Sequence, residues 1–144
     1  MVASEILIEA IKGFEGLECT AYRCPGGVWT MGYGHTRNVR EGMVITKEEA
    51  LAYLRDDLVE YEDYVNSLGL DLTQGQFDAL VDFAFNCGTG SLGSSTLLRK
   101  IRNGSTDDEV CGELMRWVHS NGRELRGLVL RRQWECERWR SSQD

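Results

Sequence analysis

The sequence predicts an α+β fold that is mainly α, and three observations predict it. Apolar residues recur at helical spacing over most of the chain after residue 46. Thr46 with Glu49, Thr73 with Gln76 and Thr106 with Glu109 each repeat the spacing of a capping box, which opens a helix. Between about residues 16 and 45 that pattern gives way to alternation and glycine-rich turns.

Taken in order, Ile6, Leu7, Ala10, Ile11 and Phe14 share one helical face and place a first helix over about 4–14. Gly13 and Gly16 bracket Glu15, which falls in its last turn or just beyond. Pro25-Gly26-Gly27 marks a turn, and the alternation of Val28, Thr30 and Gly32 with Trp29, Met31 and Tyr33 reads as a short strand. Arg40-Glu41-Gly42 makes another turn. From Thr46, the series Leu51, Leu54, Leu58, Tyr61, Val65 and Leu68 describes one long helix. Thr73 opens a further helix that carries Phe77, Leu80, Val81, Ala84 and Phe85, and Asn86-Cys87-Gly88-Thr89-Gly90 closes it. A short helix over about 95–102 stops at Asn103-Gly104. Thr106 starts the next, with Val110, Leu114, Trp117 and Val118, which Asn121-Gly122 breaks; a last helix runs from Leu128 to Trp139. The expected organisation is one domain over 1–144. It comprises a β-rich lobe (about 16–45), a connecting helix (about 46–68) and a helical lobe (about 69–144) on which helix 4–14 packs, with a groove between the lobes.

The totals narrow the function classes. A net charge of −7 argues against a nucleic-acid partner, because phosphate binding needs a basic face. The surplus of acid lies in the first half, mostly between Glu48 and Asp63, and reads as a solvated helix face. No apolar run is long enough to span a membrane, and the N-terminal residues do not read as a secretory signal; the expectation is a protein made in a cytosol. The five cysteines (Cys19, Cys24, Cys87, Cys111 and Cys136) are odd in number and scattered, and only His35 and His119 accompany them. Neither a full set of disulfides nor a metal site is expected, and no cofactor. Four of the five read as buried small residues; Cys24 is the exception.

Cys24 stands out because Glu15, Cys24 and Thr30 form the pattern E-x8-C-x5-T. An acid at a helix end faces a thiol and a hydroxyl on a short hairpin. Glycosidic hydrolysis needs such a pair of faces, with a proton donor at the leaving oxygen and a group handling water or carbon opposite. Glu15 would have to hold its proton near neutral pH. Cys24 could act as base or nucleophile if its thiol acidity rises, or could merely fill the hairpin. Thr30 can hold a water beside it.

These residues carry a family resemblance. With Gly32-Tyr33-Gly34-His35-Thr36, the block Leu72 to Leu80, the block Phe83 to Gly90, Ser95 to Leu98 and Gly127 to Arg132, the chain resembles the phage-type lysozymes (endolysins) of glycoside hydrolase family 24 over about residues 4–138. The resemblance implies a lysozyme-like fold with the active-site cleft between its lobes, and hydrolysis of the β-1,4 bond between N-acetylmuramic acid and N-acetylglucosamine in peptidoglycan. It implies Glu15 as general acid, with Cys24 and Thr30 on the other face. Cys24 occupies a position held by Asp in many relatives. Thr36 and Phe85 match positions that line the sugar groove, although Phe85 suits core packing equally. His35 is assigned mainly a structural role, tied to a carboxylate or backbone partner. Arg131 and Arg132 are left open between the groove and solvent. The implied partner is the glycan strand. The protein would be a monomer waiting in the host cytoplasm for a separate pore-forming protein to release it. Two competing readings remain: a peptidoglycan-binding module with little or no activity, and a cysteine hydrolase using Cys24 and His35.

Overall fold

The computed structural model describes residues 1–141. Seven helices and two small antiparallel hairpins follow in the order α1 (Glu5–Glu15), β1 (Glu18–Arg23), β2 (Trp29–Gly32), α2 (Lys47–Ser67), α3 (Gln74–Cys87), α4 (Thr89–Gly93), α5 (Thr96–Arg102), α6 (Asp107–Leu114), β3 (His119–Ser120), β4 (Arg123–Glu124) and α7 (Arg126–Arg140). The chain divides into two compact units, one of residues 8–60 and the other of 1–7 with 61–144. Helices α1 and α2 each run from one unit into the other.

All three capping boxes form. Thr73 Oγ1 accepts from Gln76 N at 3.1 Å while Gln76 returns the bond to Thr73 N. Thr46 and Glu49 make the same reciprocal pair, as do Thr106 and Glu109. Each satisfies two backbone donors that a helix start leaves without partners.

In the unit of residues 8–60, β1 and β2 pair with Tyr22 opposite Thr30 and Arg23 opposite Trp29, and the register shifts between Glu18 and Tyr22. Backbone bonds from Ala21 N to Met43 O and from Ile45 N to Cys19 O lay the 43–45 segment along β1. The core is Ile8, Ile11, Ala21, Met31, Tyr33, Val39, Ile45, Ala50, Leu54 and Leu58.

The other unit is organised on α3, where every residue from Phe77 to Ala84 is buried. A helix buried all round must pair its acids, and α7 supplies the cations. Arg138 Nε and Nη2 reach Asp78 Oδ2 at 3.0 and 2.8 Å. Arg131 Nε and Nη2 fork onto Asp82 at 3.0 and 2.8 Å. Ser4 donates its hydroxyl to Asp78 and caps α1 by accepting from Leu7 N.

Arg132 is fully buried with Glu135. Its Nη2 bonds Glu135 Oε2 at 2.9 Å and Asn86 Oδ1 at 2.7 Å, its Nη1 lies 2.7 Å from Cys87 Sγ, and its guanidinium sits 5.2 Å over the Phe83 ring. Arg131 and Arg132 are thus not solvated, because α3 presents acids where α7 packs. Burial and a hydrogen bond to Asp82 hold Glu135 well above the ordinary carboxyl range. Asp82, hydrogen-bonded to Glu135 and Arg131, is held below it despite burial. The two carboxyls therefore titrate as one pair with the proton favoured on Glu135, whose Oε1 also lies 2.8 Å from Arg132 Nε.

Three elements differ from the expected ones. Helix α6 stops at Leu114, short of Val118. Asn121-Gly122, expected only as a break, closes the β3–β4 hairpin with both residues at positive φ (52° and 77°), the conformation of a type I′ turn. Helix α4 was not expected; its Thr-Gly-Ser-Leu-Gly sequence has poor helix propensity and turns around the fully buried Leu92.

Candidate active site

The Glu15, Cys24 and Thr30 positions all fall in the unit of residues 8–60. Glu15 is the last residue of α1 and is exposed. Its carboxylate lies against the backbone of the turn that follows β2. Met31 and His35 exchange both backbone bonds across this turn (2.9 and 2.8 Å), and Gly34 sits in it at φ 86°. A Cβ on Gly34 would stand 3.4 Å from Glu15 Oε2 and 3.8 Å from its Cδ. Glycine suits the left-handed backbone here, and its position brings this turn to the Glu15 carboxylate.

Cys24 follows β1 and opens the hairpin turn. Cys24 N donates to Val28 O at 3.0 Å and Gly27 N to Cys24 O at 2.8 Å, which folds residues 24–28 tightly. The half-buried thiol faces that turn. Hydrogen bonds from the backbone of Val28 and Gly26, and from the Thr30 side chain, hold it below the ordinary thiol range against a small opposing effect of burial. The Thr30 hydroxyl is buried and also donates to Val28 O at 3.1 Å. A hydroxyl has one proton, so Thr30 serves the Val28 carbonyl or a Cys24 thiolate, one at a time.

His35 is buried beside this group. Its Nδ1 lies 2.8 Å from Asp57 Oδ2, and its ring stacks on Tyr53 at 4.3 Å. The imidazole thereby ties the turn that carries Gly34 to α2. Thr36, the next residue, is exposed. Phe85 lies in the other unit, half-buried, with its ring edge-on to Tyr61 at 5.3 Å. The geometry therefore gathers Cys24 with Thr30 and Glu15 with Gly34. The sequence marks Gly34 as part of the GYGHT segment but not its place against Glu15, and it does not single out Asp57 as the partner of His35. Among the described residues no cluster of three or more His, Cys, Asp or Glu could hold a metal ion.

A family model described as phage lysozyme matches residues 12–135. The chain belongs to the phage lysozyme family. It is 41% identical to the endolysin of Acyrthosiphon pisum secondary endosymbiont phage 1, over 94% of this chain and 95% of that protein. It is 43% identical to the endolysin of Bacillus phage B103 over 94% of this chain, but spans only 52% of that protein. Its structure superposes on the muramidase domain of SpmX from Asticaccaulis excentricus with a TM-score of 0.89 at 40% identity, covering 96% of this chain and 97% of that one. A phage lysozyme is a glycoside hydrolase acting on the cell wall, and the mainly helical architecture with small hairpins is the lysozyme-like one.

Proposed function

We propose that this lysozyme cleaves the β-1,4 bond between N-acetylmuramic acid and N-acetylglucosamine in peptidoglycan, with Glu15 as general acid and the Cys24–Thr30 pair activating water. The observation that carries the assignment is the tight turn over residues 24–28 that sets the Cys24 thiol beside the buried Thr30 hydroxyl, with the thiol held below its ordinary range. Glu15 donates its proton to the glycosidic oxygen as the bond breaks, and positive charge develops at the sugar carbon. Cys24 as thiolate takes a proton from water that Thr30 holds, and the water attacks that carbon from the opposite face. The anomeric configuration inverts, and a reducing end is released. Gly34 keeps the Glu15 carboxyl in place, and the His35–Asp57 contact keeps Gly34 in place.

The protein works as a monomer. No helix among the described residues is long and apolar enough to cross a membrane. A stay in the host cytoplasm, ended by a separate pore-forming protein, accounts for access to the wall.

Release of reducing ends from purified peptidoglycan tests the assignment. Wild type should release them; Glu15→Gln and Cys24→Ala should each lose at least 100-fold while staying folded. Binding without release by the wild type would leave a glycan-binding module. Release of amines in place of reducing ends would point to a cysteine hydrolase. Loss in Glu15→Gln alone would reduce Cys24 to a spacer.

A further inference from the structure

We infer that Cys111 and Cys136 form a dithiol that closes to a disulfide between α6 and α7 when the protein meets an oxidising small-molecule disulfide. Both are free thiols in this structure. Cys111 lies in α6 and is buried, whereas Cys136 lies in α7 and is half-buried. Cys136 Sγ stands 3.7 Å from the Cys111 carbonyl oxygen, and the two thiols hydrogen-bond one another. The helices are already fastened at this point. Trp139 Nε1 donates to Asp107 Oδ1 at 3.0 Å, and Arg140 Nη2 reaches Asp108 Oδ1 at 2.7 Å. These contacts hold the two helices side by side where the thiols meet, and a disulfide needs such close, fixed neighbours because its geometry is narrow.

The same neighbours define the approach. Arg140 is exposed and also hydrogen-bonds the Cys111 sulfur. Burial, with Cys111 and Glu135 nearby, pushes the Cys136 thiol well above the ordinary thiol range, so the first exchange step is slow when Cys136 makes it.

With oxidised glutathione, one protein thiolate attacks a glutathione sulfur, forms a mixed disulfide and expels a glutathione thiolate, which takes up a proton. The second cysteine loses its proton to solvent and attacks the protein-side sulfur of the mixed disulfide, expelling the second glutathione. The dithiol gives up two electrons and two protons, and one glutathione disulfide becomes two thiols. The pair stays reduced in a cytosol and closes in an oxidising medium. The cross-link spans residues 111–136, a stretch that contains Trp117 and the β3–β4 hairpin.

The test is prolonged incubation of the full chain with oxidised glutathione, followed by peptide mapping without reductant and by thermal unfolding. The expected result is a linked Cys111–Cys136 peptide and a midpoint raised by about 5–10 °C, reversed by a reductant. Cys111→Ser and Cys136→Ser should each lack both. A map with these two thiols still free, or joined to other cysteines, would overturn the inference; so would a reversible rise that survives in either serine variant. Mapping of the wild type decides the matter even if a serine variant fails to fold.

Discussion

Arg132 gives the most exacting test of what holds the larger unit together. Its guanidinium is fully buried and serves Glu135, Asn86 and Cys87 at once, with a weaker contact to Trp117 O at 3.4 Å. In Arg132→Met the side-chain stem is kept and the guanidinium lost. The buried Glu135 carboxyl loses a donor at about 1–3 kcal/mol, and the half-buried Asn86 Oδ1 loses one that water partly replaces, at about 1 kcal/mol. The stacking on Phe83 goes as well, at about 1 kcal/mol. The sum, about 3–5 kcal/mol, agrees with what breaking a buried pair costs. For a chain of this length that is a fall in midpoint of about 10–15 °C. A second variant separates the loss of an interaction from the strain of orphaned groups. Arg132→Met with Glu135→Leu removes both polar partners; Asp82 then loses the Glu135 proton but keeps its two bonds from Arg131. The double variant should be more stable than Arg132→Met alone by about 1–2 kcal/mol. Urea unfolding followed by circular dichroism reads all three proteins. A single-variant cost below about 1 kcal/mol, or a double variant less stable than the single, would refute the reasoning.

Three further outcomes are expected. Gly34→Ala should cut the release of reducing ends at least tenfold, because a side chain at this left-handed position strains the turn that lies against the Glu15 carboxylate; a midpoint within a few degrees of wild type shows that the loss is local. If the thiolate of Cys24 is the working base, activity falls as pH drops through its lowered pKa, and Cys24→Asp should carry that acidic limb several pH units lower; a limb that does not move removes Cys24 from the profile. Glu135 is raised in the folded state, so the fold retains a proton that the unfolded chain gives up above pH about 4.5, and stability drains away as pH rises from there. Glu135→Gln keeps a donor for Asp82 without titrating, so its stability relative to wild type should improve steadily above that pH; a difference independent of pH would contradict a protonated Glu135.

Much of the architecture is legible in short-range chemistry. A capping box is written in two residues three apart, so Thr46, Thr73 and Thr106 announce their helices without help from the rest of the chain. Glu15 and Cys24 are conspicuous because their residue types clash with plain structural roles, a carboxylate at a helix C-terminus and a thiol at a turn, whereas Thr30 also suits its strand and stands out only by its spacing from them. Features that depend on distant partners are hidden. Nothing near Arg132 in the chain signals Asn86 or Cys87, and an arginine on a terminal helix reads as surface until α3 is known to be buried all round. A clue was present in Asp78 and Asp82, acids one turn apart in a helix otherwise rich in apolar residues, since such acids need buried cations. Helix α4 is invisible because two of its five residues are glycine and its stability comes from burying Leu92. The β3–β4 hairpin was available in principle, Asn-Gly being the sequence a type I′ turn favours, but two-residue strands leave no alternation to read.

Ser4, Asp78 and Arg138 join the two ends of the chain to its middle, and this orders events during synthesis. Residues 8–60 form one unbroken stretch, so all of that unit is synthesised before α7 begins. The other unit is not. Ser4 must wait for Asp78, and both for Arg138, which is translated 134 residues after Ser4. Until then the buried acids of α3 have no cations to meet, and the apolar surface of that helix stays open to solvent or to a chaperone. A ribosome stalled before α7 would therefore carry every residue of one unit and a second unit that cannot close.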